Sequence, residues 1–167
     1  ATLLDTKGPE IRTGVLKDDK KVTLKEGQKF TLTTREVVGD ENIDMITYAG
    51  LPADVENGNT ILIDDGLIEL RVEEVVDGTD IICTVINGGE LGSKKGVNVP
   101  NVSIKLPGIT DKDKDDIIFG VEQGFDFIAA SFVRNAACIQ EIKQLLWEHG
   151  SDIPVIAKIE NAEGIEN

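Results

Sequence analysis

Apolar and polar residues alternate over short stretches between residues 15 and 104, a pattern typical of β-strands with one buried face. The clearest stretch is 67–74, where Ile68, Leu70 and Val72 alternate with charged residues. Further strands are predicted at 21–24, 29–34, 60–64 and 79–87, and hairpin turns at Glu26-Gly27, Asp65-Gly66 and Asp77-Gly78. No helix is predicted in this region, so we expect a small β-barrel or sandwich.

A helical period replaces this pattern after residue 105. Thr110 and Asp113 form a capping-box pattern, and the apolar stripe that follows ends at Gly124, which predicts a helix of about three turns. Asn135 and Gly150 bound a second predicted helix. The apolar runs 127–132 and 153–159 lie before and after it, and such runs are typical of parallel strands buried on both faces.

This order of elements predicts an α/β unit that is interrupted by the β-rich region. A further strand must precede the first helix, and residues 2–6 are the only candidate. We therefore expect a partial (β/α)8 TIM barrel of about three strands, from segments 1–14 and 105–167, with a small β-barrel domain inserted at 15–104. A complete barrel takes about 250 residues, so the chain is expected to be an internal piece of a longer protein.

Composition narrows the range of partners. The net charge of −14 disfavours binding to nucleic acid and to anionic membrane surfaces, and no apolar run approaches the ~18 residues of a membrane span. Cys83 and Cys138 lie in apolar patterns without metal-site spacing and are predicted to be reduced core thiols. No signal peptide opens the chain, so we expect a cytoplasmic location.

Polar residues follow each of the three predicted parallel strands, where catalytic side chains of barrels gather. They are Asp5 and Thr6, Ser131 and Phe132, and Lys158 and Glu160. Lys158 and Glu160 are two residues apart and so share one face of their strand. Glu160 could bind a divalent metal while Lys158 holds phosphate oxygens, but a structural ion pair fits the same spacing equally well.

Other polar residues have simpler interpretations when taken alone. Asp5 could cap a turn leading to Gly8-Pro9, and Arg12 and Lys95 could be solvated surface charges. The glycine-rich segment 87–96 does not have the spacing of a phosphate-binding loop, so its glycines are interpreted as turn residues. His149, in the last turn of a predicted helix, is given no catalytic role.

Five ordered segments together resemble the pyruvate kinase family. They are LLDTKGPEIRTG at 3–14, DDGLIEL at 64–70, SKKGVN at 93–98, FDFIAASFVR at 125–134 and PVIAKIEN at 154–161. The resemblance implies phosphoryl transfer from phosphoenolpyruvate to ADP, giving pyruvate and ATP in glycolysis. It also implies that 15–104 is a mobile lid, the B domain, mounted on the A-domain barrel through hinges near 12–14 and Pro107.

The resemblance further implies roles for the polar residues at the strand ends and in the lid. They are Lys158 as the catalytic lysine, Glu160 as a ligand of Mg²⁺ or Mn²⁺, Asp5 and Thr6 as ligands of K⁺, Arg12 and Lys95 at the nucleotide phosphates, and Ser131 and Phe132 in the substrate pocket. Asn101 stands where the family often has Gly, and Asn tolerates the left-handed backbone that such a turn can require.

Several parts of the family's site are absent from this chain, so both cation sites are incomplete and the chain alone is expected to be inactive. The resemblance implies a homotetrameric parent enzyme. The alternative is a free-standing β-barrel module that binds nucleotide or a protein partner without catalysis. In either case we expect residues 15–104 to fold independently of the flanking segments.

Overall fold

The computed structural model describes residues 1–167, which form two compact units. One unit comprises Ala1–Glu10 with Leu106–Asn167, and the other comprises Ile11–Lys105. The strands are β1 (Leu3–Asp5), β2 (Ile11–Arg12), β3 (Val22–Leu24), β4 (Lys29–Thr33), β5 (Ile43–Met45), β6 (Thr60–Ile63), β7 (Ile68–Val76), β8 (Asp80–Asn87), β9 (Gly89–Leu91), β10 (Gly96–Asn98), β11 (Phe127–Ala130) and β12 (Val155–Ala157). The α-helices are α1 (Leu51–Asp54), α2 (Asp111–Glu122), α3 (Ala136–Glu148) and α4 (Ala162–Glu166), and Lys17–Asp19 is a 3₁₀ turn.

The first unit is built on a parallel three-stranded sheet with the order β1-β11-β12. Helix α2 begins at the predicted capping box, in which Thr110 and Asp113 exchange hydrogen bonds. Helix α3 begins at Asn135, whose side chain accepts from the Cys138 N–H. Alternate strand residues such as Ile128 pack with residues of both helices into one core. The predicted strands and helices of this unit are thus confirmed, and capping side chains mark the start of both α2 and α3.

The prediction that these strands are buried on both faces is confirmed only for part of β11, where the consecutive residues Ile128, Ala129 and Ala130 are all buried. Large side chains that point away from the helical face are partly open to solvent: Leu3 is 47% exposed, Phe127 37% and Ile156 44%. An apolar run indicates that a strand can be buried on both faces. Burial of the second face requires another layer of helices or side chains to cover it. In this unit the helices contribute to a core on one face only.

The second unit contains a seven-stranded sheet, with the order β2-β10-β6-β7-β8-β4-β5, and the separate pair β3-β9. Its core includes Phe30, Leu32, Ile61 and Leu70, all fully buried. The hairpins β6-β7 and β7-β8 form at the predicted turns. Asp77 and Gly78 both adopt the left-handed backbone that such tight turns require.

Two predictions for this region are wrong. Glu26-Gly27 does not join a hairpin, because β3 pairs with β9 whereas β4 pairs with β8 and β5. Gly27 does turn the chain, at φ +81°, but a local turn does not determine which distant strand becomes the partner. Helix α1 and the 3₁₀ turn also occur where no helix was predicted; α1 has 4 residues, too few for a visible helical period.

Both cysteines are free and buried, as predicted. None of the helices combines the length and apolar character needed to cross a membrane.

Candidate active site

The carboxyl ends of β1, β11 and β12 bring three polar side chains together around Lys158. Its ammonium nitrogen lies 2.9 Å from Asp5 Oδ1, 2.9 Å from Ser131 Oγ and 3.6 Å from Glu160 Oε1. The parallel sheet explains this convergence, because carboxyl ends of parallel strands meet at one edge. The backbone of Lys158 is held too, since its N–H donates to Ala130 O at 2.9 Å. The structure therefore places Lys158 at the centre of the predicted cluster.

Ser131 joins the end of β1 to the lysine. Its N–H donates to Thr6 Oγ1 at 3.1 Å, and its hydroxyl donates to the Thr6 carbonyl oxygen at 2.6 Å. The oxygen of the same hydroxyl accepts from Lys158. Thr6 and Ser131 are both buried. Ser131 is therefore fixed by two bonds to Thr6 and presents one defined acceptor to the ammonium group.

Phe132 holds Glu160 through its backbone. Its N–H donates to Glu160 Oε2 at 2.9 Å, and its φ of +56° lies in the left-handed region. A bulky residue in that region costs on the order of 1–3 kcal/mol and persists only where its surroundings enforce it. The geometry aims a backbone donor at one carboxylate oxygen and leaves the other facing Lys158.

The charges of the cluster keep the lysine protonated. The hydrogen bond to Asp5 raises the pKa of Lys158 above its ordinary value; partial burial opposes this shift, and the charges of Glu160 and Asp5 add to it. Lys158 is therefore an ammonium group at neutral pH, suited to holding anionic oxygens rather than to accepting a proton. With two carboxylates around one ammonium, a phosphate group entering the cluster requires additional cations.

Asp5 and Glu160 provide part of a cation site. Carboxylate oxygens suit hard cations such as Mg²⁺ and K⁺, and these two side chains keep 56% and 35% of their surface exposed. Thr6 is less available, because its hydroxyl and carbonyl oxygens both already accept from Ser131. No group of three or more His, Cys, Asp and Glu side chains is close enough to hold a metal ion. The residues present could thus supply some, but not all, of the ligands that a bound cation needs.

Arg12 and Lys95 lie in the other unit, on neighbouring segments of its sheet. Gly96 on β10 is the register partner of Arg12 on β2, and the Arg12 guanidinium donates to the Lys94 carbonyl at 2.8 Å. Lys95 forms an ion pair with Asp64 at 3.1 Å. The two predicted phosphate-binding cations thus belong to neighbouring backbone segments of this unit.

Sequence reasoning missed two residues of this arrangement. Asp64 forms the ion pair with Lys95, whereas its place in the sequence indicates only a position next to a hairpin turn. Asp113 was predicted only to cap α2, yet its carboxylate also accepts from the Gly8 N–H at 3.0 Å. No signal in the sequence indicates this second contact, because the two residues are 105 positions apart.

Comparison with known proteins places these findings in context. Residues 1–167 match the profile of the family described as "Pyruvate kinase, barrel domain". The chain is 52% identical to a pyruvate kinase of Clostridium acetobutylicum, covering 100% of this chain and 35% of that protein. It is 53% identical to one from Geobacillus stearothermophilus, covering 100% of this chain and 29% of that protein.

A solved structure gives the same result for the fold. The crystal structure of a pyruvate kinase from Cryptosporidium parvum superposes with a TM-score of 0.90 at 42% identity, over 99% of this chain and 35% of that one. The chain therefore spans about a third of the length of the relatives it matches.

Proposed function

Because this chain belongs to the pyruvate kinase family, we propose that it is part of an enzyme that transfers a phosphoryl group from phosphoenolpyruvate to ADP, giving pyruvate and ATP. The observation that carries the proposal is the position of Lys158, held at 2.9 Å by both Asp5 and Ser131 at the carboxyl edge of a parallel sheet. Its charge, its exposure to the strand edge and its fixed backbone suit the binding of a phosphoryl group.

Lys158 acts as a fixed positive charge in the proposed reaction. Negative charge spreads over the phosphoryl oxygens during transfer, so an ammonium placed beside them in advance stabilises the transition state without reorganising. Asp5 and Ser131 orient that ammonium before substrate arrives. Phe132 and Ser131 line the side of the pocket next to it.

The cations of the proposed reaction are Mg²⁺ or Mn²⁺ at Glu160 and K⁺ at Asp5 and Thr6, with other ligands from parts of the protein beyond this chain. Such cations neutralise phosphate oxygens and align the reacting groups when they are bound. The Phe132 N–H fixes one Glu160 oxygen and so limits the orientations open to the other.

The proposed architecture assigns a role to each unit. The unit with the parallel sheet, called the parallel unit, contributes three strands of a (β/α)8 barrel. The unit Ile11–Lys105, called the β-rich unit, is a lid whose Arg12 and Lys95 approach the nucleotide phosphates. Their neighbouring positions on β2 and beside β10 support this assignment. A cytoplasmic location and a homotetrameric parent remain predictions from the sequence.

The proposal is tested by Lys158→Met in a complete-length protein that contains this chain. Phosphoenolpyruvate-dependent ATP formation is measured with Mg²⁺ and K⁺, and we expect kcat to fall by about 10²–10³-fold, the cost typical of losing one preorganised electrostatic contact. Lys143→Met is the matched control, because Lys143 is an exposed residue of α3; it should leave kcat unchanged.

Full activity of Lys158→Met would overturn the proposed role. The 167-residue chain alone should show no turnover, since it spans about a third of its relatives. Nucleotide binding by a complete-length protein that has no transferase activity would instead favour the non-catalytic binding module.

A further inference from the structure

Asp113 is a fully buried carboxylate that makes more contacts than its helix needs. Its Oδ2 accepts from the Thr110 N–H at 2.9 Å, which completes the capping box of α2. Its Oδ1 accepts from the Gly8 N–H at 3.0 Å, and the side chain is 0% exposed. A capping box needs only the first bond and works at the protein surface. Burying the carboxylate carries a desolvation cost that the second bond helps to offset, so the contact with Gly8 needs its own explanation.

Gly8 packs directly on the residues that hold the active-site cluster. It has φ +76°, and a Cβ atom at this position would lie 2.9 Å from Ser131 Cβ and 3.1 Å from the Phe132 ring. No side chain larger than hydrogen fits there. The backbone of the turn after β1 therefore packs directly against side chains of the segment after β11. A shift of this turn toward the segment after β11 would therefore displace Ser131 or Phe132.

These two residues are the ones that orient the charged groups. Ser131 Oγ accepts from Lys158, and the Phe132 N–H donates to Glu160. A continuous series of contacts thus runs from Asp113 through Gly8 to Ser131 and Phe132. It ends at the ammonium and the carboxylate of the cluster.

We propose that Asp113 is a positioning residue, which acts through Gly8 to fix Ser131 and Phe132 and thereby the orientation of Lys158 and Glu160. Its catalytic consequence rests on the proposed function, whereas its structural consequence does not. Asp113 is fully buried, so its effect on the cluster passes through Gly8 and not through direct contact with a ligand. Its role is to lock the turn after β1 against the segment after β11.

Two variants separate this role from helix capping. Asp113→Asn has a single side-chain acceptor and cannot accept from both Gly8 and Thr110. Thr110→Ala removes the hydroxyl that accepts from the Asp113 N–H, but it leaves both bonds of the Asp113 carboxylate possible, because Thr110 donates through its backbone. Both variants weaken the cap of α2, and only the first releases Gly8.

The structural test uses the 167-residue chain and NMR of the Lys158 ammonium group and the Phe132 amide. We expect Asp113→Asn to shift both signals, because the hydrogen-bond partners of the Lys158 ammonium and the Phe132 N–H change position when Gly8 is released. Thr110→Ala should leave both signals in place. Identical spectra for the two variants, or an unchanged Lys158 signal in Asp113→Asn, would overturn the proposal. If Asp113→Asn does not fold, Gly8→Ala must produce the same change with Asp113 intact, and an unchanged Lys158 signal there overturns it as well.

The catalytic test uses a complete-length protein that contains this chain. Asp113→Asn should lower kcat by about 10- to 100-fold with little change in the KM for nucleotide, because small displacements of positioned groups have effects of this size. Thr110→Ala should stay within about twofold of the unchanged protein. Equal losses of kcat in the two variants would show that Asp113 acts only on the helix. A perturbed Lys158 signal in Asp113→Asn, together with full activity of Lys158→Met, would retain the positioning role and reject the proposed function.

Discussion

At the scale of single residues, Asp44 is a buried carboxyl group whose ionisation affects stability. It is 0% exposed in the β-rich unit, and its Oδ2 has no hydrogen-bond partner. Burial raises the pKa of Asp44 to about 6, with nearby Asp40 adding to the shift, although hydrogen bonds from Met45, Gly14 and Thr13 oppose it. Because the folded state binds this proton more tightly than the unfolded chain, the stabilising contribution is complete below pH ~4 and is lost as the pH rises through about 6.

Asp44→Asn should remove this pH dependence. We expect the unchanged protein to lose about 2 kcal/mol of unfolding free energy between pH 4.5 and 7, relative to the variant, since a shift of one pKa unit corresponds to about 1.4 kcal/mol. Chemical denaturation at several pH values measures the difference. Asp77→Asn is the matched control, because Asp77 is exposed in a turn where Asn also tolerates positive φ. Parallel stability curves for Asp44→Asn and the unchanged chain would contradict the prediction.

At the scale of elements, the starts of the helices could be predicted from neighbouring residues in the sequence, whereas the pairing of the strands could not. Thr110 and Asn135 cap their helices as expected, because a cap depends on residues three positions apart. The left-handed backbone of Asn101, at φ +60°, was likewise readable from the residue type. The pairing of β3 with β9 depends on distant packing, so Gly27 could indicate the turn but not the partner.

The candidate site shows the same division. The residues at the strand ends could be chosen because parallel strands share a carboxyl edge. The resemblance of ordered segments supplied their roles. The bond from Gly8 to Asp113 and the positive φ of Phe132 could not be predicted, since each depends on how two loops pack in three dimensions.

The cap of α3 gives a quantitative test at this scale. Asn135→Ala removes the acceptor of the Cys138 N–H, and we expect a loss of about 1 kcal/mol of unfolding free energy, the usual cost of losing a cap. Gln140→Ala, at an exposed position of the same helix, should be nearly neutral because Ala is a strong helix former. Denaturant titration of both variants measures the difference, and a loss of equal size in Gln140→Ala would show that composition, not capping, controls this helix.

At the scale of the whole molecule, the two units differ in how well they bury their own apolar residues. The β-rich unit buries Phe30, Leu32 and Leu70 completely within its own sheets. The parallel unit exposes a row of large apolar side chains on one face of its sheet: Leu3, Phe127 and Ile156. A unit with a closed core can fold alone, whereas an open apolar sheet face favours association.

We therefore expect residues 11–105 to fold as an independent, cooperative unit, and the 167-residue chain to associate through its exposed sheet face. Sedimentation should show a monomer for 11–105 and concentration-dependent association for the whole chain. Ile156→Thr keeps the β-branched shape that suits a strand but adds a hydroxyl to the exposed face, so it should weaken association without unfolding the unit. Ile61→Thr, at a fully buried position of the other unit, should destabilise that unit instead.

Hydrogen exchange in a dilute monomer should be slower in the β-rich unit than in the parallel unit. Local opening of a strand in the parallel unit exposes little additional apolar surface, because one face of its sheet is already uncovered, and it therefore costs less free energy. Equal protection of both units under those conditions would contradict independent folding.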